Sequence, residues 1–88
     1  MILTLSKSDN NFFCKYADNP FVGFDVSQSD KLVRLSYTPD NAELAWRPFE
    51  MAYDDAYLNH APKPEYEPDS IGRRLERISD YLVDQTYK

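Results

Sequence analysis

The apolar positions of the first 37 residues come in short runs separated by turn-forming clusters. Ile2, Leu3 and Leu5 give way to Ser8-Asp9-Asn10-Asn11, whose side chains bond their own backbone and favour turns. Phe12 to Tyr16 form a second run, closed by Asp18-Asn19-Pro20. From Phe21 to Val26 the pattern alternates, with Val22, Phe24 and Val26 on one side and Phe21, Gly23 and Asp25 on the other. Beyond Ser27-Gln28-Ser29-Asp30, Leu32, Arg34 and Ser36 alternate with Val33, Leu35 and Tyr37. Four β segments joined by short turns predict an antiparallel meander.

From Thr38 onward the period changes to that of a helix. Pro39 suits a first helical position behind Thr38. Asn41 to Trp46 makes only a short helix, because Pro48 lacks an N–H and its ring crowds the preceding turn. Pro48 is read as opening a second helix, with Phe49, Ala52, Tyr53 and Ala56 on one face. Ala61-Pro62-Lys63-Pro64 stops it, and the chain to Pro68 reads as extended. Asp69 and Ser70 then mark a helix start, followed by Ile71, Leu75, Ile78 and Leu82 at spacings of four, three and four.

A sheet that needs a cover, followed by amphipathic helices, predicts an α+β fold: about four antiparallel strands in residues 1–37, then two or three helices packed on one face. The 88 residues read as one domain, with a β meander over 1–37, an acidic helical and loop segment over 38–69 and a C-terminal helix over 70–87. The stripe of Ile71, Leu75, Ile78 and Leu82 is the natural cover. Its alternative use is self-association, which would make the chain a monomer or weak homodimer.

Composition narrows the function classes. At 42 % hydrophobic and 15 % aromatic residues the chain is too apolar for a disordered acidic tail. No apolar run nears the ~20 residues of a membrane span and no signal peptide is recognised, so a cytoplasmic protein is expected. Cys14, the single cysteine, fits a reducing compartment. The formal charge of −5 argues against direct nucleic-acid binding, which needs a basic face. Resolved by zone, the charge is zero over 1–37, −6 over 38–69 and +1 over 70–88. The acidity belongs to the middle.

Within that zone Glu50 and Asp54 lie four apart, a like-charge spacing that costs a helix a few tenths of a kcal/mol. Glu43, Glu50, Asp54, Asp55, Glu65 and Glu67 are interleaved with Tyr53, Tyr57 and Tyr66. Carboxylates with rigid aromatics between them suit a basic protein groove, particularly one built for a nucleic-acid backbone. The competing reading is a solvated face that confers solubility, with the aromatics part of the core.

Candidate chemistry is sparse. A nucleophilic pair would require Cys14 and His60 to meet, yet Cys14 reads as a small core or sheet residue and His60 as a helix C-terminal cap. One His and one Cys cannot build a structural zinc site, and no calcium-loop spacing occurs. Gly23 and Gly72 are isolated, so no glycine-rich phosphate loop exists. The expectation is a protein that is not an enzyme, with no cofactor, no metal and no catalytic residues. Arg73, Arg74 and Arg77 form the one basic cluster and read as partners for acids of this chain.

In general character, without a shared motif, this small, locally acidic, aromatic-rich chain is similar to small inhibitors encoded by phages and mobile elements, including anti-CRISPR proteins and other nucleic-acid mimics. The resemblance implies an acidic surface that occupies the basic nucleic-acid-binding groove of a partner protein in a host cytoplasm. An immunity protein or antitoxin against a basic toxin has the same physics. A self-associating structural or assembly subunit is the third expectation.

Overall fold

The computed structural model describes residues 1–60 and 69–87. Strand β1 (Ile2–Ser6) leads into helix α1 (Lys7–Tyr16), then β2 (Asp25–Gln28) and β3 (Leu32–Ser36). A 3-10 turn at Pro39–Asn41 precedes helix α2 (Ala42–Asn59), and α3 (Ser70–Asp84) ends in a second 3-10 turn, Gln85–Tyr87. The protein is thus α+β, with three strands among the described residues rather than about four. None of the described helices is long and apolar enough to cross a membrane.

The missing strand is the Phe12–Tyr16 run, which is helical. Ser6 caps α1, its hydroxyl accepting the Asp9 N–H at 3.1 Å. Ser, Asp and Asn serve both turns and helix N-termini, and here the cap wins. Phe12, Phe13, Tyr16 and Ala17 then share one side at helical spacing, with Phe13 and Ala17 buried. Cys14 is correspondingly exposed, not a core or sheet residue, with its Sγ 3.7 Å from Asn10 Oδ1.

The sheet order is β1-β3-β2, with both pairings antiparallel, so it is not the expected meander: α1 follows β1 directly, and β3 pairs between β1 and β2. Leu3 stands opposite Leu35 and Leu5 opposite Val33, and all four are buried. Their neighbours Ile2 and Arg34 face solvent, so one face of the sheet is covered and the other open. β2 starts later than the alternation suggests, because Phe21 to Gly23 form a turn that buries Phe21. Its hairpin turn lies at Asp30-Lys31, and Ser27 and Gln28 belong to the ladder.

The cover comes from all three helices: Phe13 from α1, Ala45, Phe49, Ala52 and Ala56 from α2, and Leu75, Ile78 and Leu82 from α3. The rings of Phe13, Phe21 and Phe49 stack at 5.4–5.9 Å between centroids. Trp46 stands edge-on to Phe24 at 5.3 Å and to Phe49 at 5.4 Å. Such pairs add about 0.5–1.5 kcal/mol each beyond area burial. Leu75, Ile78 and Leu82 are therefore taken up by the chain's own core, with Ile71 half-buried beside them.

Pro48 does not divide the helix. α2 runs unbroken through it, against an interior proline cost of about 3 kcal/mol. Burial of Ala45, Phe49, Ala52 and Ala56 offsets that cost, and the carbonyl freed one turn back, on Leu44, faces Gly23. A Cβ on Gly23 would lie 2.8 Å from Ala45 Cα and closer still to the Leu44 oxygen, so only glycine fits this approach.

Candidate functional site

Because α2 is one helix, residues on both sides of Pro48 share faces. Ala45, Phe49, Ala52 and Ala56 define the buried side. At 100° per residue, Glu43, Glu50 and Asp54 fall within a narrow arc on the opposite side and span about 16 Å of helix axis. All three are exposed, as is Asp55. Arg47 is the one base on this helix.

Between that acidic row and Asp55 runs a row the sequence reading did not single out. Leu44, Met51 and Leu58, spaced by seven, are 69 %, 64 % and 61 % exposed. The signal was present as a heptad spacing, but a helix broken at Pro48 separates Leu44 from the other two. Val22, also exposed, stands beside Met51 across a depression of about 360 Å³ that Arg47 and Asp55 border. Single exposed apolar residues need no explanation; these three are aligned along one face of α2 beside its carboxylates.

The tyrosines fall elsewhere. Tyr53 is half-buried, its ring 6.2 Å from Phe13 and 6.3 Å from Phe49, so it extends the core stack. Loss of water around its hydroxyl, with the Glu76 carboxylate next in importance, pushes its pKa up to about 12. Tyr57 is half-buried, lies tilted against Tyr53 at 5.6 Å and donates its hydroxyl to Glu76 Oε2 at 3.4 Å. Both rings lie on the side of α2 that meets α3. Glu65, Tyr66 and Glu67 lie outside the described residues.

The remaining chemistry-bearing residues are tied into the fold. The His60 backbone N–H bonds Tyr57 O at the end of α2, and its imidazole Nδ1 lies 2.9 Å from Asp69 Oδ2. Asp69 caps α3, accepting the Gly72 N–H at 2.8 Å. That bond first, and His60 second, hold its carboxyl below the usual carboxylate range. The Asp69 N–H donates to His60 O at 2.8 Å, so one residue joins the end of α2 to the start of α3. Arg74 pairs with Asp9 on α1 at 3.2 Å and stacks over Phe12. Among the described residues no cluster of His, Cys, Asp and Glu is arranged to hold a metal.

Comparison with protein-family models, curated proteins and solved structures finds no match to this chain.

Proposed function

We propose that this protein is a small acidic inhibitor that lays the outer face of α2 against the basic groove of a partner protein, in the manner of a nucleic-acid mimic. The observation that supports the reading is the pairing of two rows on one helix face: Glu43, Glu50 and Asp54 beside Leu44, Met51 and Leu58. A face selected for solubility alone needs only the first row. Burying the second contributes affinity through apolar contact, while the carboxylates raise the encounter rate and reject acidic surfaces. Tyr57 at the edge of the row adds contact area, and Glu65, Tyr66 and Glu67 remain candidates for the same role. The partner class is a nucleic-acid-binding protein, and the site of action is the cytoplasm.

The test is affinity capture from host lysate with the wild-type protein and with the triple variant Glu50→Lys, Asp54→Lys, Asp55→Lys. Wild type retains a basic nucleic-acid-binding protein at low salt, releases it at about 1 M salt, where screening is nearly complete, and inhibits its nucleic-acid binding. The triple variant does neither. A triple variant with native circular dichroism that still inhibits the captured protein overturns the reading.

A further inference from the structure

Leu44, Met51 and Leu58 recur every seven residues along α2, and all three are exposed. On a straight helix such a row drifts by about 20° per step, which is the angle at which two helices cross in left-handed pairs. The row therefore follows the line along which a second helix packs. Its flanks carry charge in a fixed order. At 100° per residue, Arg47 and Asp54 lie about 40° and 60° to one side of Met51, and Asp55 about 40° to the other. Arg47 is exposed and makes no ion pair among the described residues.

We propose that this row docks a second copy of the chain, α2 against α2 and antiparallel. A two-fold axis at Met51 sets Leu44 against Leu58 of the second copy, Leu58 against its Leu44, and the two Met51 side chains together at the centre. With the helix axes about 9 Å apart, the Cβ of Arg47 comes within about 5–6 Å of the Cβ atoms of both Asp54 and Asp55 of the second copy. The symmetry repeats this contact at the other end. Glu50, Asp54 and Asp55 each stay about 10 Å or more from their own counterparts, beyond the ~8 Å over which exposed charges act in physiological salt.

A parallel pair would instead set Arg47 beside Arg47 and Asp55 beside Asp55, so the charges select the antiparallel direction. Val22, which borders Met51, adds apolar surface at the edge of the contact. The contact is the same patch on both copies, so the assembly closes at two. Three side chains and Val22 from each copy bury less than the ~1,200 Å² of a stable interface, and the dimer is weak. Self-association and the basic partner proposed above use one face and exclude each other, but this inference does not depend on that partner.

The test is sedimentation equilibrium of the purified chain alone from about 10 μM to about 1 mM, a range that brackets weak association. The average mass rises toward twice 10.3 kDa and no higher. Met51→Lys puts two like charges at the symmetry axis and stays monomeric throughout. Arg47→Asp and Asp54→Arg each set like charges together and weaken association at least about fivefold. An equimolar mixture of these two variants recovers it, because each supplies the charge that the other lacks. All three positions are exposed, and native circular dichroism shows that the variants fold. A mass fixed at 10.3 kDa up to about 1 mM overturns the proposal. So does a dimer that persists in Met51→Lys, or a mixture no more associated than either variant alone. Capture of the basic partner is read at about 1 μM, where the chain is a monomer, so the two proposals fail separately.

Discussion

Replacing Leu44, Met51 and Leu58 together by Gln separates a contact surface from a structural one. Each side chain is roughly two-thirds exposed, so folding buries only about a third of it. Full burial of such a side chain stabilises by about 1.5–3 kcal/mol, which leaves about 0.5–1 kcal/mol per position. Gln keeps two methylenes over the same surface and has nearly the helix propensity of Leu and Met. The three substitutions together therefore cost about 1–1.5 kcal/mol. Phe49→Ala alone, at a ring that is 2 % exposed, costs about 3–5 kcal/mol. Urea unfolding followed by circular dichroism distinguishes the two, with the denaturant slope of the triple variant unchanged. Affinity for the captured partner falls at least about tenfold, or about 1.4 kcal/mol. A triple variant as unstable as Phe49→Ala refutes the reasoning, because the row would then be part of the core.

Three further outcomes follow from the packing. Gly23→Ala forces a Cβ into the Leu44 carbonyl and lowers stability by about 1–3 kcal/mol in the same urea assay; an unchanged midpoint contradicts the close approach. Gln85→Ala removes both side-chain bonds to the Thr4 backbone and costs about 1–2 kcal/mol, with faster exchange of the Thr4 amide; exchange that stays slow means that something else protects that amide. Tyr53 holds its proton to about 12 in the fold against an ordinary value of 10.0. Its contribution to stability is complete below pH 10.0 and is lost as pH rises toward 12. Tyr53→Phe therefore loses less stability than wild type across that alkaline interval in pH-dependent unfolding, and identical profiles would refute the assignment.

The parts of the fold that the sequence makes legible are those with one dominant signal. Leu3 and Leu5, and Val33 and Leu35, alternate cleanly and are the buried positions of β1 and β3. The α3 stripe, begun by Asp69 as its cap, has no competing pattern. The misread parts carry two signals at once. Ser8-Asp9-Asn10-Asn11 has turn chemistry that equally opens a helix, and only the Ser6 cap and the position of Phe13 over the sheet decide between them. Pro48 carries a local penalty that tertiary burial overrides, and no window around it contains the Phe21 and Gly23 contacts that supply the compensation. The same error hid the Leu44, Met51 and Leu58 row. The carboxylates of α2 are legible because charge needs no partner to be exposed, while Tyr53 carries two signals, a face shared with Phe49, Ala52 and Ala56 and an acidic neighbourhood, and the ring stack decides for the first.

The proposed working surface on α2 is tested most directly by amide chemical-shift mapping on the labelled protein with its captured partner. Shifts concentrate at Glu43, Leu44, Glu50, Met51, Asp54, Asp55 and Leu58 and collapse as salt is raised. Shifts that leave α2 silent and fall instead on α3 or on the open face of the sheet would contradict it.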